Sequence, residues 1–287
     1  MRRAAIACSA VAAAAALTAP AHGRPATAIR VSVLRLVDHS RVAHFQNGAT
    51  APRVLVTFVR YPARAPGPLP LIVFAHGFAL TPNTYATLLD AWARAGYVVA
   101  APAFPVERAN APGGPSESDL VNEPGDLRFV ISSLIARPGP LRRLIDPTKV
   151  GVAGQSDGAV AALSAAYDSR FRDRRIDAAI IMSGAALPGF TGAPAGSPPL
   201  LAVQGTSDPI NQPNVTAAYY SHMRRPKFLL WLLGASHLPP YTTGDRWSGV
   251  VDRTTIAFLD HYLHGRPLRS VVANGTRRGL ARLISRP

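Results

Sequence analysis

Gly154-Gln155-Ser156-Asp157-Gly158 is the segment whose residue types and spacing speak most directly of chemistry. A serine held between two glycines at this spacing suits a sharp strand-to-helix turn. Its backbone is strained there, and side chains at the flanking positions would keep strand and helix apart. The apolar run Val150–Ala153 before it and the Ala-rich stretch Ala159–Ala166 after it can supply that strand and that helix. Such a turn lifts Ser156 Oγ above the sheet edge with a helix N-terminus behind it, a place that favours developing negative charge. The plainer alternative is a serine N-cap on an ordinary helix.

A serine hydroxyl is a poor nucleophile and needs a base, which in turn needs an orienting acid. Both follow in the chain. The strand Leu200–Val203 runs through Gln204-Gly205-Thr206-Ser207 into Asp208, and the strand Phe228–Leu233 is followed by Gly234-Ala235-Ser236-His237. Both candidates fall just past the carboxyl ends of strands, where open α/β sheets bind ligands. Other candidates compete less well. His222, His261 and His264 read as helical, and His39 and His44 precede the sheet. Asp177 precedes a strand, Asp245 and Asp252 come after His237, and Asp157 adjoins the serine itself.

An oxyanion produced by attack on a carbonyl needs two convergent backbone N–H groups. Asp157, next after the serine, can supply one. The other can come from Phe78, where the apolar strand Leu71–Ala75 runs into His76-Gly77-Phe78 and glycine lets the chain turn beneath a substrate. A tight turn without a role is the alternative, and His76 reads as a structural hydrogen-bonding residue. No His-x-x-x-His or carboxylate pair has metal-ligand spacing, so neither metal nor cofactor is expected.

The elements that must position these groups follow in a regular order. Strands are expected at Val31–Val37, Arg53–Tyr61, Leu71–Ala75, Tyr97–Ala101, Lys149–Ala153, Ala178–Met182, Leu200–Val203 and Phe228–Leu233. Helices are expected at Thr81–Ala95, Leu127–Ile135, Gly158–Tyr167, Gln212–Met223 and Gly249–Leu263. Eight strands, alternating with helices from the third onward, build a mainly parallel α/β sheet with helices on both faces. Residues 265–287 hold six arginines and no acid and read as a basic tail, with a short helix at Arg278–Ile284.

The chain has 287 residues, 48% of them hydrophobic, and a net charge of +15. That composition excludes a disordered chain. Arg2 and Arg3, the apolar stretch Ala4–Leu17 and Ala19-Pro20-Ala21 read as a signal peptide over residues 1–21, cleaved near Ala21. Its removal takes two arginines and Cys8, the only cysteine, and leaves a charge of +13 without a thiol. The expected division is leader 1–21, catalytic α/β domain 22–264 and tail 265–287, in a secreted or cell-envelope protein that works as a monomer. Of the basic residues only Lys149 and Lys227 are lysines. Dispersed arginines without an aromatic stacking pattern do not describe a nucleic-acid surface; weak attraction to anionic cell-wall polymers is the more economical use of the charge.

The residues from Leu71 to Leu263 resemble the α/β-hydrolases. Within them His76-Gly77-Phe78, Tyr85-Ala86-Thr87-Leu88-Leu89 and Ala95-Gly96-Tyr97-Val98-Val99-Ala100-Ala101-Pro102 are similar to the group containing dienelactone hydrolase, chlorophyllase, platelet-activating-factor acetylhydrolase and cutinase-like enzymes. The resemblance implies serine carboxylester hydrolysis, with Ser156, Asp208 and His237 as triad and Phe78 and Asp157 as oxyanion hole. Bacterial polyester hydrolases of this group usually carry Gly-His-Ser-Met-Gly, where this chain has Gln155 and Asp157. An inward-pointing Asp157 would disfavour anionic substrates. The segment Gly184–Pro199 is a short Gly/Pro/Ala loop rather than a helical lid, so an open cleft for short-chain or exposed, small or polymeric esters is expected. Acyl transfer on the same fold and non-catalytic wall binding are the competing functions.

Overall fold

The computed structural model describes residues 27–136 and 138–287; the expected leader at 1–21, with Cys8, lies outside the described residues. Strands β1 (Ile29–His44) and β2 (Thr50–Pro62) form an antiparallel hairpin, and β2 pairs antiparallel with β4 (Val98–Ala103). From there β3 (Leu69–Ala75), β5 (Ile145–Gln155), β6 (Ile176–Met182), β7 (Leu200–Gly205) and β8 (Lys227–Leu232) continue in parallel. An antiparallel β9 (Ala281–Arg286) closes the far edge, and the spatial order is β1-β2-β4-β3-β5-β6-β7-β8-β9. Strands β3 through β7 are buried over most of their length, and their near-continuous apolar runs have that cause.

Helices α1 (Ala86–Arg94), α2 (Glu123–Ala136), α3 (Pro140–Leu144), α4 (Asp157–Tyr167), α5 (Pro213–Ser221), α6 (Pro239–Thr242), α7 (Ser248–His264) and α8 (Arg269–Gly275) cover the sheet. On one face Leu127, Val130 and Ile131 of α2 and Leu163 and Tyr167 of α4 meet Leu71 and Val73 of β3 and Val152 of β5. On the other, Leu88 and Trp92 of α1 and Phe258 of α7 meet Ile72 and Phe74 of β3. Trp92 Nε1 donates to Thr255 Oγ1 at 2.9 Å and joins α1 to α7. Between β3 and β5 the winding of the chain reverses, so the turns leaving those two strands diverge and open a crevice between them.

Two expectations are corrected. The sheet has nine strands, not eight, and residues 265–287 are no tail: they form α8 and β9, and the expected helix at 278–284 is mostly strand. Six residues are too few to show a period, and Arg282 and Arg286 on either side of Leu283 and Ile284 suit an edge strand, where charge deters further pairing. The expected elements elsewhere are present. The helix expected at Thr81–Ala95 is divided into a 3-10 turn at Pro82–Tyr85 and α1, and a second 3-10 turn spans Glu117–Asn122.

Candidate active site

Ser156 stands between β5 and α4 with φ 57° and ψ −124°, a conformation that costs a non-glycine residue free energy and persists only where its surroundings impose it. The two glycines are what permit it. A Cβ on Gly154 would lie 2.0 Å from Gly158 O, and one on Gly158 would lie 2.2 Å from Ala75 O. Strand, helix and the end of β3 therefore pass at backbone contact, and the serine is pushed into the crevice. It is 9% exposed.

Asp208 and His237 come to it from the turns after β7 and β8. His237 Nδ1 donates to Asp208 Oδ2 at 2.8 Å, and Ser156 Oγ donates to His237 Nε2 at 2.9 Å. The other oxygen of Asp208 accepts from the amides of Ile210 and Asn211 at 2.9 and 3.0 Å, and Gln204 Nε2 donates to Oδ2 at 3.2 Å. Burial by itself would raise the Asp208 carboxyl, but the hydrogen bond and charge of His237 and the amide of Ile210 outweigh it and hold it below its ordinary range. The carboxylate therefore stays ionised, locked behind the imidazole, and fixes the tautomer that leaves Nε2 free to accept a proton.

The turn after β3 approaches from the other side. A Cβ on Gly77 would lie 3.0 Å from Ser156 Cβ and 3.0 Å from Gln155 Oε1, so a side chain in this turn would press on the serine and its neighbour. Among the described residues, neither the Phe78 amide nor the Asp157 amide donates a hydrogen bond. His76 is buried beneath the turn: Nδ1 donates to Gly77 O at 2.9 Å and Nε2 accepts from the Phe104 amide at 3.0 Å. Burial pushes its imidazole down to about 4, so it is a neutral structural group, as its position after the strand suggests. The remaining histidines lie elsewhere, His261 donating to Arg266 O and His222 exposed at the end of α5.

Gln155 does more than its place in the pentapeptide announces. Its Oε1 accepts from Tyr85 Oη at 2.6 Å, and Tyr85 Oη accepts from the Gly77 amide at 3.1 Å. Its Nε2 donates to His237 O at 3.2 Å and lies 3.2 Å from His237 Nε2. One amide side chain thus ties the turn after β3 to the turn carrying His237. Gln204, which supports Asp208, and Tyr85 also escape the sequence reading, because one ends an apolar strand and the other fits the apolar face of a helix.

An open cleft of about 410 Å³ surrounds the serine. Phe78, Leu80, Ile210 and Leu238 give it apolar walls, and Asp157 and Glu117 line it with carboxyl groups. Among the described residues, no group of three His, Cys, Asp or Glu is arranged to hold a metal ion.

A family model described as chlorophyllase matches residues 32–212. The chain belongs to the chlorophyllase family. It is accordingly an ester hydrolase of the α/β-hydrolase superfamily. Among solved structures, the ferulic acid esterase from Streptomyces cinnamoneus is similar with a TM-score of 0.68 at 24% identity, covering 87% of this chain and 93% of that one. A likeness at that identity speaks to the fold, which this chlorophyllase-family chain shares across nearly the whole of both proteins. A comparison with curated protein sequences gives no match.

Proposed function

We propose that the protein is an exported serine carboxylesterase that works through an acyl-enzyme on Ser156. What carries this reading is the relay from Ser156 Oγ to His237 Nε2 to Asp208 Oδ2, at 2.9 and 2.8 Å. Ser156 attacks the ester carbonyl while His237 takes its proton, and Asp208 stabilises the imidazolium that forms. The amides of Phe78 and Asp157 receive the tetrahedral oxyanion, with the first turn of α4 behind it. His237 then protonates the departing alcohol, and a water activated by the same imidazole releases the acid. The open cleft and its short apolar walls favour small acyl or aryl groups, and bulky alcohols can protrude into solvent. Since the structural neighbour is a ferulic acid esterase, an aryl-propenoate ester belongs among the trial substrates.

Hydrolysis of p-nitrophenyl acetate, butyrate, octanoate and palmitate and of methyl ferulate is the test. Turnover should fall along the acyl series. Ser156→Ala should lose at least about 10³-fold in kcat, and Asp208→Asn about 10³- to 10⁴-fold, because it supports the wrong tautomer. Labelling by a fluorophosphonate should occur in the wild type and vanish in Ser156→Ala. Near-wild-type turnover by Ser156→Ala would sink the assignment.

A further inference from the structure

We propose that Glu107 is a positioning residue for the oxyanion hole, tying the two turns that present its amides together through a proton shared with Asp157 and Glu123. The inference rests on the proposed role of Ser156 and adds to it a second layer of residues behind the hole.

Glu107 lies in the loop after β4 and is fully buried. Its backbone holds one side of the hole: Glu107 O accepts from the Ala79 amide at 3.0 Å. Ala79 follows Phe78 directly and has φ 54°, a left-handed conformation that needs holding in a residue with a side chain. The hydrogen bond from Ala109 N to Leu80 O fastens the same loop to the same turn, and that from Ser116 N to Val106 O closes the loop on itself. The side chain of Glu107 reaches the other side. Its carboxyl lies beside that of Asp157, which supplies the second amide, and beside that of Glu123 at the start of α2.

Adjoining buried carboxylates such as Glu107 and Glu123 are costly to keep ionised there. Both oxygens of Glu107, both of Glu123 and Oδ2 of Asp157 are buried without a donor, and an isolated buried carboxylate costs far more than any one of its contacts returns. The neighbouring arginines are already committed. Arg53 forks onto Asp119 and Asp126, and Arg41 binds Asp126 and Asp38. Glu107 is faced by Glu123 from α2, by Asp119 from the 3-10 turn, by Asp157 from α4 and by the phenol of Tyr85, with Arg108 next along the chain. Burial first, then the charge of these neighbours, pushes the carboxyls of Glu107 and Glu123 upward. A proton held among the three bridges a pair of the orphaned oxygens and takes one negative charge out of the trio. It also removes negative charge from beside the place where the substrate oxyanion forms. When that proton leaves at alkaline pH, Glu107 and Asp157 repel one another, and the turns that present the two amides separate.

The test compares Glu107→Gln and Glu107→Leu with wild type in pH profiles of kcat and KM on p-nitrophenyl butyrate. Fluorophosphonate labelling of wild type, lost in Ser156→Ala, establishes the nucleophile beforehand, so failure of the Glu107 reading stays distinct from failure of the esterase reading. The leucine variant, which cannot donate, should lose about 10- to 100-fold in kcat with KM within about twofold of wild type, since a displaced hole donor acts on the transition state. The glutamine variant, whose amide can donate to both neighbours, should recover most of that loss. It should also lack the alkaline decline in kcat expected of wild type. Should the leucine variant fail to fold, the pH profile of Glu107→Gln decides alone: an alkaline decline identical to wild type overturns the proposal. Equal turnover in both variants also overturns it, leaving Glu107 as a space-filling residue. A rise in Tm with CaCl2 in wild type that is absent from Glu107→Gln would assign the trio to a cation and overturn the shared proton.

Discussion

At the scale of single residues, the site is held by groups that do no chemistry as much as by those proposed to do it. His76 shows how. Its two ring nitrogens serve opposite roles, one donating to Gly77 O and one accepting from the Phe104 amide, so only the neutral ring fits. With its folded value near 4 and an ordinary value of 6.5, the unfolded chain binds this proton first as the pH falls. The stabilisation is therefore complete above about pH 6.5 and is lost as the pH falls towards 4, amounting to about 3 kcal/mol at most. Urea unfolding of wild type and His76→Gln between pH 7 and 4.5 checks this. The variant should be less stable at pH 7 and show a shallower acid slope, whereas parallel slopes would remove His76 as the source.

At the scale of elements, two segments do more for the site than their sequences suggest. The loop after β4 and the 3-10 turn at Glu117–Asn122 are pinned by Arg53 of β2, whose buried guanidinium holds Asp119 and Asp126 with hydrogen bonds of 2.5–3.0 Å. That ion network fixes the start of α2 and with it Glu123. At the other edge β9 pairs with β8 from Lys227 to Leu232, and Leu233 N donates to Leu280 O at 2.9 Å. The next turn carries His237. Deleting residues 276–287 should therefore cost at least about 3 kcal/mol, from a lost ladder and the uncovered apolar side chains beneath it. It should also lower kcat, because His237, the proposed base, loses its support. Urea unfolding together with kcat measures both; a truncated chain with wild-type stability would mean that β9 does not hold the edge.

At the scale of the whole molecule, the excess of positive charge stands apart from the site, where carboxyl groups line the cleft. We assign that charge to weak contact with anionic polymers outside the cell. Protein recovered from the culture medium should begin at His22. Its retention on an immobilised polyanion should weaken steeply between about 0.05 and 0.5 M salt, as screening shortens the reach of surface charge. Retention unchanged by salt, or a chain that still begins at Met1 and stays inside the cell, would remove the assignment.

Much of this architecture is legible in the chain alone. Buried parallel strands must be apolar throughout, and a serine on a strained turn must be flanked by glycines, so the sheet, the elbow at Ser156 and the chain order of Asp208 and His237 are written as local pattern. These signals depend on neighbours along the sequence. Whatever depends on neighbours in space is absent from it. Gln155, Tyr85 and Gln204 carry no mark of their partners, since a polar side chain beside an apolar run looks the same whether it faces water or the buried groups of the site. Glu107 and Glu123 read as ordinary surface acids until folding buries them against Asp157 without a cation. The same holds for residues 276–287, four of them arginines: Ala281–Arg286 become a strand only because β8 offers an open edge to pair with. Local periodicity encodes which elements form, whereas burial and partnership are decided by what the fold sets opposite each side chain.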